Sequence, residues 1–235
     1  MKKVILLSSV ILLGCDREIA SQNELIRNAT NEMSLEHHFD ICNSLEIKLS
    51  SVSKDKSDKI FYDFQKKYIA IINKLNTKID LNGFTEKSRP SRWIKILMSE
   101  GMPYIAPNWK YLQKRFGKYL SQAYNCWLIH LDKTENIIDD AALLVTPDDL
   151  RNSIIFLEHL SEKNPSFIAI KDVKSRLSWY LDLYLNGSDN SPMLDKHGLR
   201  PEFRTSYEKF LSKNRDSKYY SKIRFFLSKH YGILK

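Results

Sequence analysis

The chain has 235 residues, 43% of them hydrophobic, with only seven Gly and seven Pro, so it can bury a sizeable core and is not collagen-like or low-complexity. Its formal charge of +9 points to acidic partners, and its three cysteines leave room for one disulfide. A Gly-rich phosphate loop, CxxC, GxSxG and HExxH are all absent, which argues against the nucleotide-binding, thiol-exchange, serine-hydrolase and zinc-protease classes.

The first element is an export signal. Lys2 and Lys3 make a positive start, Val4 to Leu13 is an almost unbroken apolar run, and the run stops at Gly14-Cys15. That run is about half of the ~20 residues a membrane-spanning helix needs. Leu12-Leu13-Gly14-Cys15 resembles the lipobox of bacterial lipoproteins. The resemblance covers the first 15 residues and implies that residues 1–14 are removed, that the Cys15 thiol carries diacylglycerol, and that the mature chain starts there. Two or three acyl chains anchor firmly, because each buried methylene adds ~0.8 kcal/mol. Asp16, directly after the cysteine, resembles the signal for inner-membrane retention in Gram-negative lipoproteins. The expected location is the extracytoplasmic face of a bacterial cell membrane.

Residues 15–34 are polar, lack an apolar stripe, and read as a tether. From residue 35 to 235 the apolar spacing is helical, predicting a single all-α domain: an irregular bundle of about eight or nine amphipathic helices, with a possible subdivision near 186–198. Leu35, Phe39, Cys42, Leu45 and Leu49 form the first stripe. Phe61, Phe64, Tyr68, Ile72, Leu75 and Ile79 form the second. A short helix carrying Trp93, Ile94 and Leu97 is expected to stop at Gly101, with Pro103 and Pro107 stiffening a connector after it.

Asn108 is a cap for a long helix running through Trp109, Leu112, Phe116, Leu120, Ala123, Trp127 and Leu131. Thr146-Pro147-Asp148-Asp149 is the clearest helix start, with a capping hydroxyl, proline at the first position and carboxylates at the positive end of the dipole. Further helices are expected after Asn164-Pro165, from Pro201 and from Ser217, with residues 186–198 as a loop. No segment combines period-two alternation with hairpin turn residues, and no repeat of 34 or 40 residues supports a regular solenoid.

The charge excess sits at the C-terminal end, where ten Lys or Arg between Arg200 and Lys235 face three acidic residues. Lys218, Lys222 and Lys229 align on one side of the last helix, as a patch for anionic lipid or cell-wall polymer. The export signal argues against nucleic acid. With Cys15 acylated, Cys42 and Cys126 remain as an even pair able to form a disulfide.

Candidate chemistry is sparse. His38 and Cys42 share a helix face but supply two ligands where zinc needs three or four, so no metal and no cofactor are expected. Ser99-Glu100-Gly101 invites comparison with the catalytic glutamate of lytic transglycosylases, although in that family serine follows the glutamate, and here Gly101 does. Trp93, Tyr104 and Trp109 flank the proline connector and could form an aromatic contact surface.

These features read as a membrane-anchored, non-catalytic binding protein with a protein partner. In general make-up (lipid anchor, short tether, compact domain) it resembles immunity or exclusion lipoproteins. The alternatives are an envelope glycan-cleaving enzyme using Glu100, and a structural envelope protein held through the basic helices.

Overall fold

The apolar stripe that predicts the helix after Ser53 is buried as the pattern requires. In the computed structural model, which describes residues 44–77 and 92–231, α1 (Lys54–Asn76) turns Phe61, Phe64, Tyr68, Ile72 and Leu75 into a core. A helical stretch at 44–50 adds Leu45 and Leu49. Full burial of each such side chain contributes about 1.5–3 kcal/mol. Two compact units divide between Ser121 and Gln122, and the 186–198 segment lies inside the second. Among the described residues the protein is mostly helical, with four small antiparallel strand pairs that the helical spacing does not predict.

In the first unit the largest of these pairs replaces an expected helix and connector. β1 (Ile94–Ser99) pairs with β2 (Met102–Pro107) in a register that sets Ile94 opposite Pro107 and Ser99 opposite Met102. Ile94, Ile96 and Ile105 are buried. The turn is Glu100-Gly101, with φ of 53° and 74°, the double left-handed conformation that matches strand twist in two-residue hairpins. Gly101 therefore closes a hairpin and does not cap a helix.

Asn76, at the end of α1, completes the outer edge of β2. Its side-chain carbonyl accepts from the Ile105 amide at 2.7 Å, and its amide donates to the Ile105 carbonyl at 2.8 Å. Ile105 thus turns its backbone away from β1, and Pro103 and Pro107, at the same parity, sit where no ladder donor is needed.

Asn108 accepts from the Tyr111 amide at 3.1 Å and caps α2 (Trp109–Phe116) as expected. The long helix predicted from Trp109 to Leu131 is broken, however. A 3-10 turn (Gly117–Tyr119) and an extended Leu120 intervene before α3 (Gln122–Lys133), and the Ser121 amide donates to buried Asp58 at 2.9 Å. Burial pushes the Asp58 carboxyl above its ordinary range, against the pull of the Ser121 hydrogen bonds.

The second unit opens on α3 and a small hairpin, β3 (Ile138–Asp139) with β4 (Ala142–Leu143). The Thr146 capping box is formed, with Asp149 as the reciprocal partner, and α4 (Pro147–Lys163) begins there. α5 (Ile170–Asn186) follows and packs against α4. The 186–198 stretch expected as loop instead carries two more small hairpins: β5 (Gly187–Ser188) with β6 (Ser191–Pro192), and β7 (Leu194–Asp195) with β8 (Gly198–Leu199). α6 (Pro201–Lys213) and α7 (Tyr220–Tyr231) complete the unit.

This unit contains a repeated turn. Asn164 and Asn214, fifty positions apart, end α4 and α6 with nearly the same backbone angles, φ −134° and ψ 61° against φ −128° and ψ 48°. The connections that follow carry the same hydrogen bonds. Phe167 donates to the Asn164 carbonyl and Ile170 to Phe167, as Ser217 donates to Asn214 and Tyr220 to Ser217. Val173 and Ile223 then close the first turns of α5 and α7 by donating to Ala169 and Tyr219. The unit therefore contains two helical hairpins with the same connecting turn, each entered through a two-strand turn and a proline at the first helical position.

Candidate functional site

α3 is short, and its first half turns Tyr124 and Trp127 into the core. The same helical period brings Cys126 and His130 onto one face at i and i+4, where both line a cleft of about 460 Å³ within the second unit. Ile137 and Val145 bound the cleft beyond α3, Phe156 reaches it from α4, and Tyr180 reaches it from α5. Lys133, Asn152 and Ser153 supply polar groups. The volume falls in the range of small-molecule sites, roughly 300–1,000 Å³.

His130 is the central residue. It is 6% exposed and stacks on Phe156 at 5.0 Å between ring centroids and on Trp127 at 6.0 Å, with the Tyr180 ring edge-on at 5.7 Å. Its Nε2 has no hydrogen-bond partner among the described residues. Burial in this aromatic box lowers its pKa to about 3, and the positive charges of Arg176 and Lys133 push the same way. The imidazole is therefore neutral at physiological pH.

Arg176 donates to the Thr134 hydroxyl at 3.3 Å, and its guanidinium lies 5.9 Å from the centroids of both the Trp179 and Tyr180 rings. Asp149, the one carboxylate lining the cleft, is committed to the capping box, accepting from the Thr146 amide at 3.0 Å and hydroxyl at 2.6 Å. The site thus has an apolar aromatic floor, a neutral imidazole whose Nε2 is sealed within it, and positive charges nearby.

No family model matches this chain, and neither a curated protein nor a solved structure matches it.

The residues singled out from the sequence are scattered. Cys15 and Cys42 lie outside the described residues, as do the signal peptide and tether. Cys126 is a half-buried free thiol in the cleft. Glu100 stands at the exposed tip of the β1–β2 hairpin. The aromatic contact surface expected from Trp93, Tyr104 and Trp109 does not form, because two of its members are core residues. Trp93 packs edge-on against Tyr111 at 5.1 Å, Trp109 lies edge-on to Tyr68 at 6.5 Å, and Tyr104 is half-buried on β2.

Lys222 and Lys229 are exposed on α7, while Lys218, in the turn before it, forms an ion pair with Glu162 at 2.9 Å. The carboxylate that holds that turn is Glu158 of α4, which is buried and accepts from the Ser217 hydroxyl at 2.7 Å and the Lys218 amide at 2.6 Å. His130 has no plausible partner near it in sequence, and its ring neighbours on α4 and α5 come from later in the chain. Among the described residues, no group of three or more potential metal ligands occurs and no helix is long and apolar enough to cross a membrane.

Proposed function

We propose that this chain is an exported bacterial lipoprotein, acylated at Cys15 and held at the extracytoplasmic face of the cell membrane, whose irregular helical body binds a protein partner without catalysis. Its concrete form is an immunity or exclusion protein that neutralises an incoming toxin or blocks entry. The observation that carries this reading is the N-terminal pattern: Lys2-Lys3, the apolar run to Leu13, and Leu12-Leu13-Gly14-Cys15. Support for a binding role comes from side chains that a solvated surface does not require. Phe225 is 69% exposed and Trp179 is 40% exposed, and large aromatic groups of this kind anchor protein interfaces. Exposed Lys222 and Lys229 beside Phe225 support a second contact with anionic lipid or cell-wall polymer.

Two measurements test the proposal. Growth with an alkyne-bearing palmitate should label the wild-type protein, and Cys15→Ser should abolish the label and release the protein from membranes. Crosslinking in cells followed by affinity capture should then recover one specific protein partner, with capture reduced by Trp179→Ala or Phe225→Ala. Labelling that persists in Cys15→Ser refutes the anchor, and recovery only of lipid or glycan refutes the protein-binding role. In a Gram-negative host, Asp16→Ser is expected to move the protein from the inner to the outer membrane.

A further inference from the structure

We propose that the cleft of the second unit is a binding site for a small aromatic carboxylate, with the ring of the ligand against Phe156 and Tyr180 and its carboxylate held by the Lys133 ammonium. This inference is independent of the anchor and of any protein partner. It rests first on the cleft itself. His130 is more than nine-tenths buried and lines a cleft large enough to admit a ring.

The second ground is charge. Arg176 and Lys133 both act on His130, and Asp149, the carboxylate lining the same cleft, is occupied by the Thr146 amide and hydroxyl. Lys133, exposed at the cleft, is thus left to meet an anion. A cationic ligand would meet Lys133 with no uncommitted carboxylate among the lining residues. The third ground is the surface of the floor. The rings of Phe156, Tyr180 and His130 converge there, and aromatic groups prefer offset or edge contacts with other rings.

The test is calorimetric titration of the full-length protein in lipid nanodiscs with 3-phenylpropionate, using empty discs as the blank and 3-phenylpropionamide as the uncharged control. The acid is expected to bind with one site per chain, and the amide at least about tenfold more weakly, because it cannot form the ionic hydrogen bond to Lys133. Lys133→Met should weaken the acid and leave the amide unchanged. Ser153→Trp, which fills the half-buried cleft wall while keeping a helical side chain on the same face of α4, should abolish both. No saturable heat above the blank, equal affinity for acid and amide, or unchanged affinity in Ser153→Trp would each overturn the assignment. Cys15→Ser should bind the acid as the wild type does, so failure here and failure of the anchor are read separately.

Discussion

The Glu158 carboxylate, buried on α4, accepts hydrogen bonds from both the Ser217 hydroxyl and the Lys218 amide and so fastens the second helical hairpin to the first. The two donors sit in the turn that opens α7, where backbone amides are otherwise unpaired and the helix dipole is positive. At the matching place in the first hairpin stand Phe167 and Ile168, and Phe167 packs edge-on against Tyr124 of α3 at 5.4 Å. The same backbone geometry is thus held once by an apolar contact and once by a charge-assisted polar one.

Glu158→Ala removes the acceptor and leaves two inward-facing donors without a partner, so it should destabilise the protein by about 2–3 kcal/mol. Glu158→Gln keeps an acceptor for the Lys218 amide and should cost about half as much. Urea midpoints followed by far-ultraviolet circular dichroism check the order. Equal midpoints for the two variants would remove Glu158 from its fastening role.

Where a local signal was complete in itself, the fold was legible. Thr146-Pro147-Asp148-Asp149 and Asn108 carry cap chemistry within four residues, and both caps form. The β1–β2 hairpin was not legible for three physical reasons. Trp93, Ile94 and Leu97 satisfy a helical period as well as Ile94 and Ile96 satisfy a strand period. Glu100-Gly101 is not the Asn-Gly pair that marks such a turn. The contact that secures β2 comes from Asn76, 29 residues earlier. The repeated turn was not legible because the two hairpins share backbone geometry more than side chains, with Lys163-Asn164 and Lys213-Asn214 as a local correspondence. The cleft was hidden because its floor is assembled from three helices.

Glu100 occupies a conformation that a side chain with a Cβ reaches at a cost of about 1 kcal/mol, whereas asparagine tolerates it better. Glu100→Asn should therefore raise stability by roughly 0.5–1 kcal/mol, seen as a higher melting temperature. The same variant bears on the glycan-cleavage alternative, because an essential catalytic glutamate would lose cell-wall cleavage on this change. Greater stability with an unchanged wall-digestion assay is the expected result.

Two glycines with the same φ of 74° differ in their surroundings. A Cβ on Gly187 would lie 2.4 Å from the Ser191 carbonyl oxygen, while one on Gly101 would meet nothing within 4 Å. Gly187→Ala therefore combines left-handed strain with a backbone clash and should cost about 2–4 kcal/mol, against about 1 kcal/mol for Gly101→Ala. Thermal unfolding of the two variants side by side measures the difference. A Gly187→Ala protein as stable as Gly101→Ala would show that the β5–β6 turn yields without resistance.

His130 makes the second unit sensitive to mild acid, and the sign follows from its environment. Burial, with Arg176 and Lys133 adding to it, lowers the folded-state pKa to about 3, while the unfolded chain protonates near the ordinary value of about 6.5. Between these values the unfolded state takes up a proton that the folded state refuses. The contribution is thus fully present above about pH 6.5 and is lost as pH falls toward 3, at up to about 1.4 kcal/mol per pH unit. The diagnostic interval is pH 6.5 to 5, where carboxylates with ordinary pKa values stay ionised. Across it the wild type should lose about 2 kcal/mol relative to His130→Phe, which keeps a ring in the aromatic box and has no proton to bind. His159 and His197 are common to both proteins and cancel in the comparison. Urea unfolding at four pH values gives the two curves. Parallel curves would mean that His130 is not buried as a neutral imidazole.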